Sequence, residues 1–365
     1  MSLKMSIFHP LFAALRASLH QTELDATQFG ALSEAEWQQL YRLSVEQGVA
    51  ALVWDSIDKL PQPLQPPRAI RLQWAMTTQQ IEKRYTKQQQ ALFHLAEFYT
   101  AHHLKMMVLK GYGLSLNYPV PCHRPCGDID IWLFGEQQRG DELIAAERRI
   151  VVSEDEHKHT VFDFEGVHVE NHYTFTNIYA HRSNRPVETR MQELAQASTH
   201  TLQCGKGVCY IPNVDFHALY LLRHTSSHFA ATEIGLRMLV DWTLFVKKNY
   251  QQIDWTGLQK EAQRANMERF LLVMNRIAVE WLGAESRWFA EISSDKALTN
   301  RVLQEVLSPS AKVPSGSFWQ VVGFKFRRWR QNGWKRSLAY REGSVVTFLT
   351  QLWSHLLKPK TIKAK

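Results

Sequence analysis

Seven residues, Gly127-Asp128-Ile129-Asp130-Ile131-Trp132-Leu133, set two carboxylates one residue apart among β-branched and bulky apolar neighbours. In a strand, successive side chains point to opposite faces. Asp128 and Asp130 would therefore project together, with Ile129 and Ile131 turned into a core. Two carboxylates so close repel each other unless a cation neutralises them. A Mg²⁺ pair that handles phosphate oxygens needs such an arrangement. Removing either aspartate is then expected to relieve repulsion in the metal-free form. Downstream, Val167-His168-Val169-Glu170-Asn171-His172 alternates again. Glu170 falls between His168 and His172, opposite Val167 and Val169. On a neighbouring strand it would be the third acid of a metal-binding set.

The elements that must position these acids are legible around them. Met106-Met107-Val108-Leu109 reads as a short apolar strand ending at Lys110-Gly111. A loop with Pro119, Pro121, Pro125 and Gly127 follows and carries Arg124. Strand runs at about 158–164 and 167–175 meet at Glu165-Gly166, a two-residue hairpin turn. Residues 6–100 read as helical. Ser33 followed by Glu36 is a capping pattern, with the apolar positions Trp37, Leu40, Leu43 and Val45 following roughly at helical spacing. Pro61, Pro63, Pro66 and Pro67 break the chain. A long helix should then run from Ala69 to His102, with Ile81, Tyr85, Leu92, Leu95 and Phe98 inward. After Pro212 the chain is helical again, from Phe216 to Lys248 and over about 256–282. His217, His224 and His228 lie along one side of the first of these. Phe318 to Trp334 and Ser344 to Leu357 read as terminal helices.

Leu109-Lys110-Gly111, Tyr118-Pro119, Arg124, Gly127-Asp128-Ile129-Asp130 and Val169-Glu170-Asn171-His172 together resemble an uncharacterised bacterial nucleotidyltransferase family. That family lies within the DNA polymerase β-like nucleotidyltransferase superfamily. The likeness covers about residues 105–175 and extends to His224, His228, Arg237 and Asp241. It implies an α+β fold: a small mixed sheet of the polymerase β-like nucleotidyltransferase type embedded between N-terminal and C-terminal helical regions. The regions expected are 1–103 helical, 104–178 the catalytic core, 179–310 a helical substrate-side domain, and 311–365 a basic aromatic tail.

The resemblance further implies metal-dependent transfer of a nucleoside monophosphate from a nucleoside triphosphate (NTP) to a hydroxyl acceptor. Mg²⁺ or Mn²⁺ would sit on Asp128, Asp130 and Glu170. Lys110 would face the phosphates, and Gly111 would let backbone N–H groups approach an anion. Arg124 would pair with phosphate oxygens, and His172 would hydrogen-bond a ligand carboxylate. Two positions depart from the family pattern. Lys110-Gly111 stands where Gly-Ser or Gly-Gly is usual, and Glu170-Asn171-His172-Tyr173 where Glu-Leu-His-Trp is common. The first departure keeps open a catalytically silent nucleotide-binding or scaffold protein that retains the fold. A kinase-type transfer at the same acids is a third reading. His224 and His228, four apart, have a spacing that can grip zinc. The run His-Thr-Ser-Ser-His lacks the metalloprotease glutamate, so a polar face lining the cleft is expected. Arg237 and Asp241 are either an i,i+4 helix pair or, by the resemblance, part of the substrate side.

Composition bounds the rest. The 365 residues suffice for one large or two to three small domains. No apolar run reaches the ~20 residues needed to span a bilayer. The start reads as an amphipathic helix without a cleavage site, so the cytoplasm is the expected compartment. Cys122/Cys126 and Cys204/Cys209 read as free thiols, with a four-cysteine zinc site the alternative. The net charge of +8 is segregated: residues 311–365 hold twelve Lys/Arg and one acid, Glu342. That basic tail, interleaved with Trp329, Trp334 and Trp353, points either to an anionic membrane surface or nucleic acid, or to a packed helix with a solvated face.

Overall fold

The computed structural model describes residues 7–30, 32–155, 158–179, 181–232, 234–308, 323 and 327–343. Its strands are β1 (Met106–Val108), β2 (Ile129–Trp132), β3 (Ser153–Asp155), β4 (His159–Phe164), β5 (Val167–His172), β6 (Thr201–Cys204) and β7 (Gly207–Tyr210). They form one mixed sheet in the order β3-β4-β5-β2-β1-β7-β6. The β4–β5 turn is the expected one. Glu165 and Gly166 take φ of 53° and 71°, the left-handed pair a type I′ hairpin turn requires. β2 pairs parallel with β5 and antiparallel with β1, so the two acid-bearing strands are neighbours. Sequence reading ends the sheet at residue 178. The structure adds the β6–β7 hairpin, whose β7 pairs parallel with β1.

Alternation divides the two faces of the sheet. Met106, Val108, Ile129, Ile131, Val167 and Val169 enter a core built chiefly with the helix α4 (Arg68–Ala101). At 1.5 Å per residue its 34 residues make a rod about 50 Å long. Tyr85, Gln88, Leu92, Leu95, Ala96 and Tyr99 recur at helical spacing on its buried face. Each fully buried leucine there contributes roughly 1.5–3 kcal/mol. Ahead of α4 come α1 (Phe8–His20), α2 (Glu34–Glu46) and α3 (Ala50–Ile57). Ser33 and Glu36 form the expected capping box on α2. Trp37, Leu40 and Leu43 are buried, whereas Val45 is exposed. In α1 nine of the thirteen residues are buried, and His9, Arg16 and His20 lie along the remaining side.

The opposite face of the sheet looks toward α8 (Val214–Ala231). In chain order the elements before it are α5 (Tyr112–Ser115), α6 (Gln137–Arg148) and α7 (Asn184–Gln196). Beyond it run α9 (Leu236–Asn249), α10 (Trp255–Arg264), α11 (Glu268–Glu280) and α12 (Lys296–Leu307). Trp132, Phe175, Phe216 and Tyr220 join this side to the large helical core. No helix among the described residues is long and apolar enough to cross a membrane.

Part of the described basic tail packs, while Arg327, Arg330 and Arg341 are exposed. α13 (Gly333–Arg336) lies against α8. Lys335 is 2% exposed, pairs with Glu305 of α12 and sits over the Phe229 ring. Trp334 stacks edge-on to Phe229 and beneath Arg301. Buried Arg336 donates to the Trp329 carbonyl. These two cations are therefore unavailable to a polyanion. Phe326, Trp353 and the expected helix 344–357 lie outside the described residues.

Candidate active site

β2 and β5 bring the acids together. Asp130 and Glu170 are direct cross-strand partners, and in a parallel pair such residues point to the same face. Asp128 precedes β2 by one residue and is exposed at its mouth. Its position is set by Gln88 of α4, whose amide donates to the Gly127 and Asp128 carbonyls at 3.0 and 2.9 Å. Gly111 meets the same backbone from the other side. Its φ is +63°, and a Cβ there would stand 3.4 Å from the Asp128 carbonyl oxygen. Only glycine fits both conditions comfortably. The helix it opens, α5, is a single turn.

Lys110 and His172 converge on one oxygen of Asp130. Lys110 Nζ lies 2.9 Å and His172 Nε2 3.1 Å from Asp130 Oδ1. His172 Nε2 is also 3.3 Å from Glu170 Oε2, and His159 Nδ1 is 3.7 Å from that same oxygen. Burial disfavours charge on Asp130, yet Lys110 and the His172 hydrogen bond hold its carboxyl well below the usual range. Burial likewise opposes the charge on Lys110, but Asp130 outweighs it and holds the ammonium above its ordinary value. Glu170 also lies low, burial being outweighed by His172 and His159 against the repulsion of Asp130. His172 is raised: its bonds to Asp130 and Glu170 overcome burial. Asp128 behaves oppositely. Partial desolvation at the strand mouth, then Glu170 and Asp130, push it up, and His168 and Lys110 only partly compensate. Three carboxylates thus gather around Lys110 and His172, an arrangement that fits a divalent cation.

His159, Glu170 and His172 offer ligand atoms all within 4.8 Å of one another, a second set that could hold a metal. Sequence reading passed over His159. Counting outward from the Glu165-Gly166 turn would have found it, because the hairpin register pairs it with His172. Lys158 was also missed; its charge acts on His172, His224 and His228. On the reverse face Asn171 donates to Asp141 Oδ1 at 2.8 Å and anchors α6. The departure from the family pattern at that position is therefore away from the acids.

The α8 face supplies the opposite wall. Tyr220, His224 and His228 follow at helical spacing, with the two imidazoles 4.4 Å apart. His224 lies well below its ordinary value through burial, Lys110 and His228. His228 is lowered to about 4 by burial among Lys110, Lys158 and Arg237. Both are neutral at pH 7. His217, one turn earlier than Tyr220, is fully inside and bonds the Leu109 backbone.

The guanidinium of Arg124 has a different partner from the phosphate expected of it. Its Nε and Nη2 donate to the two Asp241 oxygens at 2.8 and 2.9 Å, both side chains being about 95% buried. The Tyr118 hydroxyl donates to the same carboxylate at 2.7 Å. Asp241 is thus not the i,i+4 partner of Arg237, which donates to the Pro125 carbonyl at 2.9 Å. Arg124, Arg237 and Asp241 clamp the proline-rich loop to α9. Nor do the cysteines gather: Cys204 Sγ lies 2.9 Å from Cys209 Sγ, while Cys122 sits with Glu82 and His123.

Residues 33–283 match the family described as uncharacterised nucleotidyltransferase, and the chain belongs to it. Comparison with curated proteins and with solved structures gave no match.

Proposed function

We propose that this protein transfers a nucleoside monophosphate from an NTP to a hydroxyl acceptor on a polymerase β-like nucleotidyltransferase fold. The observation that carries this reading is the register of Asp130 against Glu170 on parallel neighbours, with Asp128 at the mouth of the same strand. These three acids would hold Mg²⁺ or Mn²⁺, which when bound neutralises triphosphate charge and acidifies the acceptor hydroxyl. His172 and His159 fix the orientation of Glu170 and Asp130. Lys110 exchanges Asp130 for the phosphates, and Lys158 adds a second positive charge beside them. His224 and His228 offer ring nitrogens without charge to base, ribose or acceptor. The acceptor oxygen bonds to the α-phosphorus in line, the bond to the β-phosphate oxygen breaks, and pyrophosphate leaves.

Purified full-length chain incubated with each NTP and Mg²⁺ or Mn²⁺ should release pyrophosphate in the presence of an acceptor. Nucleoside diphosphate as product would instead indicate a kinase. A second reading, a silent nucleotide-binding protein, is favoured by the Lys110–Asp130 contact, which already satisfies one acid without metal. On that reading NTP binds independently of divalent cations and no pyrophosphate forms.

A further inference from the structure

The loop that delivers Asp128 to the sheet carries a second group of potential ligands away from the catalytic acids. Cys122 and His123 share one 3₁₀ turn, Pro121–His123. The His123 ring is 7% exposed and held on both nitrogens. Nδ1 lies 2.8 Å from an Asp55 oxygen on α3, and Nε2 lies 2.9 Å from Glu82 Oε1 on α4. The Cys122 thiol completes the group: ligand atoms of Glu82, Cys122 and His123 all lie within 4.8 Å of one another. Three separate elements thus converge on one point, and a half-buried thiol stands beside two acids. An imidazolium bridging Asp55 and Glu82 would need no cysteine there.

We propose that Glu82, Cys122 and His123 bind one Zn²⁺-type cation, with Asp55 fixing the imidazole from outside. Thiolate, imidazole and carboxylate are the donors zinc takes, at about 2.3, 2.0–2.1 and 2.0–2.2 Å. Around a tetrahedral ion they stand roughly 3.3–3.7 Å apart, so the present spacing closes with shifts of about 1 Å. The Asp55–His123 contact is the carboxylate–histidine arrangement that sets ring orientation at metal sites. Binding displaces the thiol proton and any proton on Nε2 to solvent. A cavity of about 450 Å³ adjoins Asp55, with Pro119 and Val120 in its wall.

Its consequence would be positional. Asp128 lies five residues beyond His123, and Gln88, six residues beyond Glu82 on α4, already holds the Asp128 carbonyl. A cation joining Glu82 to Cys122 and His123 ties both ends of that attachment. The inference does not rest on nucleotidyl transfer, and no thiol lies among the catalytic acids.

The test is cobalt substitution in the full-length chain after chelation and dialysis. One equivalent of Co²⁺ should give a thiolate-to-cobalt charge-transfer band that Zn²⁺ displaces. Cys122→Ser should abolish the band, whereas Asp128→Asn should keep it. Asp55→Asn should weaken Zn²⁺ binding by about 10–100-fold. In the unmutated protein, Zn²⁺ should protect Cys122 from alkylation by iodoacetamide, read by peptide mapping, so the outcome does not depend on a variant folding. Absence of the band, its survival in Cys122→Ser, or equal alkylation with and without Zn²⁺ overturns the proposal.

Discussion

Asp241 and Asp130 are both buried acids beside a cation and a polar ring, yet their surroundings differ in kind. Asp241 receives the Arg124 fork on both oxygens and a phenolic hydroxyl besides. A planar guanidinium matched to a carboxylate cannot leave without breaking two bonds at once. Asp130 meets Lys110, a point charge on a flexible stem, and shares His172 with Glu170. Around Asp241 the charges close; Asp130 shares its cationic partners with Glu170 and stands beside Asp128. Closure serves the scaffold, holding the loop of Tyr118, Arg124 and Pro125 against α9. A cluster of acids with an exchangeable cation is what the proposed binding of divalent ions and phosphates would require.

The sharpest way to break this comparison is to neutralise each acid in turn. Asp130→Asn should abolish pyrophosphate release. Asp241→Asn should retain part of it but lose stability by about 3–5 kcal/mol, because it leaves Arg124 charged and buried. Urea unfolding and the pyrophosphate assay on both variants give the readout. Were Asp241→Asn the inactive, fully stable variant, the roles assigned here would have to be exchanged.

A smaller effect separates the two aspartates at β2. The sequence suggests that both repel their neighbours. In the structure only Asp128 is raised, chiefly by partial desolvation and by Glu170, while Asp130 is lowered by its partners. A raised carboxyl costs stability once pH exceeds its unfolded value; a lowered one contributes stability there. Without metal at pH 7, Asp128→Asn should therefore raise the melting temperature and Asp130→Asn should lower it. Shifts of the same sign in both would remove the distinction.

What the sequence revealed follows the range of the interactions involved. Strand alternation put Asp128, Asp130 and Glu170 on one face, and a two-residue turn set the β4–β5 register. Both signals act within a few residues. That same register contained His159, a consequence left undrawn. Arg124 was illegible for a different reason: its partner is 117 residues away, and nothing local distinguishes a buried strut from a free phosphate ligand. Lys335 likewise reads as a tail charge until Glu305 and Phe229 are brought to it by the fold. The β6–β7 hairpin was lost because two four-residue strands carry too short a pattern to override a helical neighbourhood.

The least of the expected effects concerns His217, which connects the two ionic clusters. It bonds the Leu109 backbone, next to Lys110, and feels Asp241 and Arg124 from the other side. Burial lowers it to about 4, against the attraction of Asp241 and the Leu109 bond. The unfolded chain takes up this proton near pH 6.5, the folded chain only near 4. Between those values the unfolded state binds more protons, so stability falls as pH falls and levels off below the window. Fully developed, the loss is on the order of 3 kcal/mol. His181, also lowered to about 4 by burial, contributes a slope of the same sign. His217→Gln should therefore flatten, without abolishing, the decline in urea midpoint from pH 6.5 to 4. An unchanged slope would mean that His217 is charged in the folded state, and that the link between the scaffold pair and the catalytic turn is ionic, not a neutral hydrogen bond.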